Sequence, residues 1–379
     1  MTEKSIRIML FTTAYKPMIG GSEIAIQEIT RRLGDIFFDI LTPRFSIKYL
    51  ASEREDNVSI KRIGWGKKID KLFFPLSGFL KGLDLTNNFK YDFLQAYQAS
   101  YGALACSLLK MFRPDIKFIL TLQEGEDLDR QNILIRSIRR FIITRADIIT
   151  GISNYLIDYA KNINPKAEFY LIPNGVDLNI FNPKLFNQKE KEDLKRELQI
   201  DLDSLVILTT SRLVFKNGLE RVIEAMSQLK SRFSKIIFVI IGEGNLKAKL
   251  MSKIKRLGLD KNVLLLGSVS HERIPLYIYS SDLFIRTPRS EGMGISFIEA
   301  MAMEKPVLAT PVGGIKDFIF DNKTGFFWYK DKENLSDKIS YILDNKDLAK
   351  TVALNGFNLV KENFNWDFVA NKFIQIYKK

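Results

Sequence analysis

The sequence predicts an α/β protein made of two domains. Strand-like apolar runs alternate with helical patterns in both halves of the chain, which is typical of parallel sheets joined by crossover helices. A charge-rich stretch near residues 180–200 interrupts the alternation, and we place the linker there. The length of 379 residues exceeds one typical hydrophobic core and fits two.

In the first half, apolar runs of strand length are separated by helical patterns and turn signals. The predicted strands are 6–12, 36–41, 58–63, 91–97, 116–122, 146–151 and 169–172, and the predicted helices are 22–33, 101–111 and 132–145. Gly20 and Gly21 stand between the first strand and the first helix, where two glycines let a ligand approach the backbone closely. The G-x-G-x-x-G pattern is absent there, so a dehydrogenase fingerprint is not supported.

The second half restarts the same pattern. The predicted strands are 205–210, 236–241, 263–266, 282–285 and 307–309, and the predicted helices are 219–229, 295–303, 332–343, 348–362 and 366–377. Each strand is followed by a polar, often glycine-containing loop. Because parallel strands deliver such loops to one edge of a sheet, we expect a ligand site at that edge.

The most informative of these loops follows the strand 282–285. It contains Ser290, Glu291, Gly292, Met293 and Gly294, and Glu299 lies about one turn inside the next helix. Backbone N–H groups and a helix N-terminus bind anions, whereas ionised carboxylates accept hydrogen bonds from hydroxyl groups. This combination favours a sugar nucleotide, and the alternative is an ordinary strand–loop–helix turn with a capping acid.

Two basic residues occupy the loop after the strand 205–210. Arg212 and Lys216 combine a guanidinium fork with a point charge, which are the groups that neutralise a diphosphate.

The overall charge favours an anionic partner. The chain carries a net charge of +13 and has a pI near 9.5, which suits phosphates, a negatively charged membrane face or nucleic acid.

Cys106 is the one cysteine, so an internal disulfide framework and a cysteine metal cluster are excluded. His271 is the one histidine, which excludes a two-histidine zinc site, and its position predicts a surface residue at a helix start. Neither a signal peptide nor a run of about 18 apolar residues is present, so we expect a cytoplasmic protein.

Two segments admit two interpretations each. Residues 65–85 interleave large apolar side chains with lysines, which suits the surface of an anionic membrane. The alternative is a helix packed on the sheet with extended lysines, and Pro75 is expected to interrupt it. Asp127 and Asp129 form a pair that suits Mg²⁺ beside a diphosphate or the acidic first turn of a helix.

A series of motifs along nearly the whole chain resembles the retaining glycosyltransferases of the GT-B fold, glycosyltransferase family 4. The matching segments are GGSE (20–23), ADIITGISNYL (146–156), IPNGVD (172–177), SRLVFKNGLERVIEAM (211–226), IGEG (241–244), LGSVSHERIPLYIYSSD (266–282) and SEGMGISFIEAMAMEKPVLATPVGG (290–314). The series keeps the order and the spacing of the family.

The resemblance implies an α/β, GT-B architecture of two Rossmann-like domains that face each other across a cleft. Residues 1–185 would bind the acceptor and residues 200–363 the sugar nucleotide, while a helix in 364–379 would cross back to the first domain. The implied activity is transfer of a sugar with retention of configuration from a nucleotide-diphosphate sugar to a glycan or lipid-linked acceptor. No metal and no other cofactor is implied, and the enzyme would be cytoplasmic or peripheral at the inner face of the membrane.

The resemblance also assigns roles to residues. Glu299 would accept from the ribose, Glu291 would hold the transferred sugar, and Arg212 and Lys216 would stabilise the leaving diphosphate. The remaining donor contacts would come from Gly20, Gly21, Gly242, Val269, Gly292, Met293 and Gly294.

One position departs from the family pattern. Many relatives carry a histidine after the strand that matches 116–122, whereas this chain has Gln123, which donates hydrogen bonds but transfers no proton. Gln123, Glu124 and Asn174 are the residues expected in the sugar and acceptor pocket. The alternatives are a catalytically silent relative that binds sugar nucleotides and an enzyme acting on another acceptor such as nucleic acid.

Overall fold

The computed structural model of the chain describes residues 6–18, 20–125, 128 and 131–379. They form two compact units, and each unit has its own sheet. The first unit takes the chain up to Asn174 and also Trp366–Lys379, and the second unit is Gly175–Asn365.

The first unit contains an eight-stranded sheet. Its strands are β1 Arg7–Phe11, β2 Phe37–Pro43, β3 Ser52–Glu55, β4 Val58–Ile63, β5 Phe93–Tyr97, β6 Lys117–Leu122, β7 Ile148–Gly151 and β8 Glu168–Leu171. They lie in the order β3-β4-β2-β1-β5-β6-β7-β8, and all pairs are parallel except β3 with β4. The sequence analysis missed β3 because this short polar edge strand carries no apolar run.

Five helices follow strands in this unit. They are α1 Gly21–Arg32, α2 Asp70–Asn88, α3 Tyr101–Phe112, α4 Ile133–Ile143 and α5 Asn154–Lys161. Pro75 does not interrupt α2, contrary to the expectation from sequence. Proline cannot donate the helical hydrogen bond to the carbonyl oxygen of Lys71, and this loss of one bond falls near the start of the helix, where Lys71 is exposed.

The second unit contains a six-stranded parallel sheet. Its strands are β9 Leu205–Thr210, β10 Ile236–Ile241, β11 Val263–Gly267, β12 Leu283–Arg286, β13 Val307–Ala309 and β14 Phe326–Phe327. Its helices are α6 Gln188–Glu197, α7 Leu219–Arg232, α8 Lys247–Arg256, α9 Ile274–Ser280, α10 Ile295–Ala302, α11 Leu335–Asp344 and α12 Lys346–Asn363. The order β11-β10-β9-β12-β13-β14 is doubly wound, and the strand order reverses between β9 and β12.

The charge-rich stretch in which we place the linker contains α6. Asn187 and Glu190 form a reciprocal capping box at its start. Leu194 is buried, and the buried Lys195 ammonium donates to the carbonyl oxygens of Leu202 and Ser204 at 2.8 Å each. The charges of this stretch therefore lie mostly on the outer face of a helix that packs on α9.

The last helix, α13 Trp366–Tyr377, belongs to the first unit. It buries Trp366, Val369, Phe373 and Tyr377 in the core beneath β1 and α1. The Tyr377 hydroxyl donates to Gln95 Oε1 at 2.6 Å inside the sheet. Among the described residues, no helix combines the length and the apolar character needed to span a membrane.

Candidate active site

The switch point of the second sheet gathers the residues singled out in the sequence. Arg212 follows β9, and Lys216 lies in the short 3-10 turn Phe215–Asn217 that comes next. The loop 287–294 follows β12, which pairs with β9. Ligands of open parallel sheets bind at the carboxyl ends of the strands where the order reverses, and both loops begin there.

Hydrogen bonds tie these two loops together. The Arg289 N–H donates to the Lys216 carbonyl oxygen at 2.6 Å, and the Arg289 guanidinium donates to the Phe215 carbonyl oxygen at 2.8 Å. The Asn217 amide donates to the Arg212 carbonyl oxygen at 2.7 Å. The backbone that carries the two cations is therefore fixed against the loop that carries Glu291.

Glu291 is held by a buried arginine that the sequence analysis did not identify. Arg286 Nη2 lies 2.6 Å from Glu291 Oε2, and the two side chains are 8% and 12% exposed. The Gly292 N–H donates to the other carboxylate oxygen at 3.1 Å, and Arg286 also donates to Ser296 Oγ at 3.0 Å. The carboxylate keeps lone pairs for a ligand, and its position is set by charge-assisted hydrogen bonds.

The backbone of the same loop is clamped by the turn after β13. The Gly314 N–H donates to the Glu291 carbonyl oxygen at 3.3 Å. Gly313 has a φ of 51°, and a Cβ atom there would lie 1.9 Å from that oxygen. The close approach explains why the TPVGG segment carries a glycine at this position.

Glu299 lies inside α10 and contacts the histidine. Only 9% of Glu299 is exposed, and its Oε1 lies 3.2 Å from His271 Nε2. His271 opens a 3-10 turn after β11, as a surface helix-start residue would, but its ring also packs edge-on against Phe181 with centroids 5.5 Å apart. The sequence analysis did not connect His271 to the site.

The other residues predicted to contact the donor lie at the same sheet edge. The Gly242 N–H donates to the Gly267 carbonyl oxygen at 2.8 Å, which joins the ends of β10 and β11. Val269 is half-buried in the loop after β11, Met293 is buried, and Gly294 begins α10 with a positive φ.

In the first unit, the residues predicted to line the sugar and acceptor pocket, which follow β6 and β8, come together. The Gln123 amide donates to Asn174 Oδ1 at 3.0 Å, and the Asn174 amide lies 3.4 Å from Gln123 Oε1. Glu124 turns inward, where its carboxylate accepts from the N–H groups of Ala99 at 2.5 Å and Gln123 at 2.9 Å. Burial raises the pKa of Glu124. Glu124 thus fixes the loop that presents Gln123.

Gly20 ends the loop after β1 and Gly21 begins α1, at the same edge of the first sheet. Gly20 is extended and precedes α1, and a Cβ atom on it would lie 2.4 Å from Glu23 Oε2. Asp127 and Asp129 lie outside the described residues. Within the described part of the chain, no three His, Cys, Asp or Glu side chains are placed so that they could hold a metal ion.

Comparisons with known protein families identify the chain. The model of "Glycosyltransferase Family 4" matches residues 19–180, and that of "Glycosyl transferases group 1" matches residues 190–358. The chain belongs to the group 1, family 4 glycosyltransferases. It is therefore a transferase, and the family predicted from its motifs is confirmed.

Curated glycosyltransferases match over most of the chain. An uncharacterized glycosyltransferase of Methanocaldococcus jannaschii is 27% identical and the match covers 95% of this chain and 94% of that protein. The alpha-monoglucosyldiacylglycerol synthase of Acholeplasma laidlawii is 25% identical over 92% of this chain and 91% of its own. A GDP-mannose-dependent phosphatidylinositol monomannoside mannosyltransferase of Mycobacterium tuberculosis is 26% identical over 62% and 63%.

Solved structures agree on the fold of this glycosyltransferase. Sucrose-phosphate synthase from Thermosynechococcus elongatus matches with a TM-score of 0.83 at 18% identity, over 98% of each chain. Anabaena HepE, solved with UDP and glucose, matches with a TM-score of 0.81 at 18% identity, over 98% of this chain and 99% of that one. The GT-B assignment from sequence is confirmed, with two parallel-sheet units.

Proposed function

We propose that this enzyme transfers a sugar from a nucleotide-diphosphate sugar, with retention of configuration, to a lipid-linked or glycan acceptor at an anionic membrane surface. The observation that carries the donor half is the Glu291 carboxylate, which Arg286 and the Gly292 N–H hold beside the turn that bears Lys216. Such a carboxylate is an acceptor for sugar hydroxyl groups, and the turn supplies the cations for a diphosphate.

The cations act on the leaving group. As the bond between sugar and phosphate breaks, negative charge grows on the diphosphate, and preorganised positive groups lower the energy of that charge. Arg212 is exposed at the sheet edge, and Lys216 lies one turn further on. They supply this stabilisation without a metal ion, and the remaining catalysis comes from positioning of the two substrates.

Glu291 takes a holding role in this proposal. A carboxylate paired with Arg286 in a buried setting is a weak nucleophile, because the arginine balances its charge and one hydrogen bond holds each of its oxygens. The acceptor hydroxyl would then attack from the face that the departing phosphate occupies, and the phosphate would take its proton. This course retains the anomeric configuration.

A donor screen tests this half of the proposal. UDP-, GDP- and ADP-sugars are added in a thermal-shift assay, and the true donor stabilises the fold by about 2.7 kcal/mol at 100 times its Kd. Glu299→Gln should weaken that shift, since an amide accepts less well from the ribose, while Glu304→Gln, at an exposed carboxylate just after α10, should leave it unchanged. Failure of every nucleotide sugar to shift the melting temperature would contradict the proposal.

The acceptor half rests on the surface of α2. This helix is apolar on two opposite sides. One side buries Phe74, Phe79 and Leu85 against α3 and the sheet. The other side exposes an apolar stripe at helical spacing, in which each side chain belongs to a residue that is 49% to 61% exposed. The stripe consists of Ile69, Leu72, Phe73, Leu76 and Leu80. A second apolar stripe facing solvent marks an interaction surface.

The charge around this stripe supports an anionic membrane surface as the partner. Lys67, Lys68 and Lys71 are exposed at the start of α2, and the exposed Trp65 packs edge-on against Phe73 with ring centroids 5.7 Å apart. Exposed apolar side chains beside lysines match the boundary between anionic headgroups and acyl chains. Two relatives are named for a lipid, one as a monoglucosyldiacylglycerol synthase and one as a phosphatidylinositol monomannoside mannosyltransferase, which supports a lipid-linked acceptor.

A second exposed apolar patch lies at the start of α4. Ile133 and Leu134 are largely exposed, and Arg136 and Arg140 are exposed on the same helix. Because α2 and α4 each follow a parallel strand of the sheet, both begin at the edge that carries Gln123. A membrane that contacts both helix starts would present its headgroups near this pocket.

Vesicle flotation tests the acceptor half. We expect the protein to float with phosphatidylcholine vesicles that contain phosphatidylglycerol and to remain at the bottom without it. Phe73→Ser with Leu76→Ser should abolish flotation, whereas Met251→Ser with Leu354→Ser, which changes two equally exposed residues of the second unit, should not. The membrane proposal would be contradicted if flotation were independent of anionic lipid or equal for both double variants. Neither result would affect the donor proposal.

A further inference from the structure

We propose that His271 is a positioning residue that holds the Glu299 carboxylate in place for the ribose hydroxyls of the donor. The inference rests on the proposed function, in which Glu299 receives the ribose. It assigns a role to the one histidine of the chain, which lies within a matching motif but receives no role from the resemblance.

The geometry fixes the imidazole from two sides. Nε2 lies 3.2 Å from Glu299 Oε1, and the ring edge packs against Phe181 with an interplanar angle of 65°. The histidine comes from the turn after β11, and Glu299 comes from α10, so the contact joins two elements that are separate in sequence. Without this contact, the carboxylate could rotate about its side-chain bonds. Ligand binding would then have to order the side chain, and the loss of conformational entropy would weaken the affinity.

The surroundings leave the carboxylate available to a ligand. The side chain of Glu299 is 11% exposed and that of His271 is 42% exposed, so the pair is reached from solvent on the histidine side. Each carboxylate oxygen accepts two hydrogen bonds, and the Nε2–H group uses one of the four positions. The neighbouring Arg273 is engaged with Glu197 at 2.7 Å, and Glu272 is exposed on the same turn.

Two substitutions separate the hydrogen bond from the packing. His271→Phe keeps an aromatic ring against Phe181 and removes the donor, and we expect the KM for the nucleotide sugar to rise about tenfold with kcat unchanged. His271→Gln places an amide N–H near the position of Nε2 and should recover most of the affinity. Glu272→Gln, on the same turn, serves as the control and should leave KM unchanged.

Binding provides a second measurement that needs no turnover. The probe is whichever of UDP, GDP and ADP binds the wild-type enzyme most tightly by calorimetry. In a Glu299→Gln background, His271→Phe should cause no further loss of affinity, because the histidine acts through the carboxylate. The one imidazole also gives a single Hε1 signal by NMR, and that signal should move when the nucleotide binds.

The outcomes distinguish the two proposals. If Glu299→Gln weakens nucleotide binding but His271→Phe does not, the positioning role is wrong and the donor site stands. If the losses from the two single substitutions add in the double variant, His271 does not act through Glu299, and the inference is also overturned. If Glu299→Gln has no effect on nucleotide binding, the proposed donor site fails and the role of His271 fails with it.

Discussion

At the scale of single residues, Arg286 fixes the position of the Glu291 carboxylate and balances its charge. It ends the buried strand β12 and contacts Glu291, Ser296 and Asn217. A charge in an apolar strand is costly without a partner, and here the partner follows five residues later in the loop. The charge at the end of a buried strand was therefore the signal that could have identified Arg286 from sequence.

Substitution of Arg286 tests its contributions to stability and to activity separately. Arg286→Met leaves the Glu291 carboxylate buried without its cation, and we expect the free energy of unfolding to fall by about 3 kcal/mol. The double variant Arg286→Met with Glu291→Leu should recover much of that loss in urea denaturation, because no unpaired charge remains. It should stay inactive in transfer, and recovered activity would show that Glu291 does not hold the sugar.

The role of Lys216 is tested by kinetics. If its ammonium stabilises the departing diphosphate, Lys216→Ala should lower kcat about 100-fold. The KM for the acceptor should change little, because the lysine does not contact it in the proposed arrangement. Lys261→Ala, at an exposed lysine of the same unit, is the control. Equal and mild effects on kcat and KM would contradict the assignment.

At the scale of secondary-structure elements, the site is a set of strand-end loops that clamp one another. Backbone hydrogen bonds join the loops after β9 and β12, and β10 and β11 meet through Gly242. The turn after β13 closes on Glu291 through Gly314. The positions of these loops therefore depend on one another, and we expect a substitution that moves one loop to displace the next.

Gly313→Ala tests this coupling. An alanine would strain a φ of 51° and place its Cβ atom against the Glu291 carbonyl oxygen, so the loop must shift. We expect a loss of about 1–3 kcal/mol in stability and a weaker thermal shift with the donor. Gly258→Ala is the matched control: its φ is 61°, but the nearest atom, Lys230 Nζ, lies 3.9 Å away. It should cost stability alone, and an equal loss of donor binding in both variants would refute the clamp.

At the scale of the whole molecule, each of the two units contains a hydrophobic core cluster of its own. One core contains the first sheet with α1 and α13, and the other contains the second sheet with α7, α8 and α11. Because α13 follows the second unit in the sequence and supplies buried residues to the first core, the first unit is completed only after the second unit has been synthesised.

Phe373→Ala should therefore destabilise one unit only. Phe373 is buried in α13, stacked on Tyr377, and its truncation should cost about 3–5 kcal/mol. Trp366 reports on the first unit and Trp328 on the second, so single-tryptophan variants can follow each unit in urea. Gln375→Ala, exposed on the same helix, is the control. A matching shift in the Trp328 transition would show that the units unfold together.

The sequence by itself determined the family, the α/β class and most of the elements. Period and motif spacing are local properties, so β9, β10 and β13 were predicted with their observed bounds. The chemistry of the motif that contains Glu291 and Glu299 was also predicted from sequence, because carboxylates accept hydrogen bonds and glycines expose backbone N–H groups in any fold.

Only the tertiary structure decided which side chains meet. Arg286 with Glu291, His271 with Glu299, and Gln123 with Asn174 pair residues from different elements, and no periodicity encodes such contacts. Of the two interpretations of residues 65–85, the structure supports the packed helix, and the membrane surface stays a prediction. The segment forms a helix that packs on its neighbours, and the same helix exposes a second apolar stripe. Hydrophobic pattern reports apolar positions, but only packing determines which of them are covered.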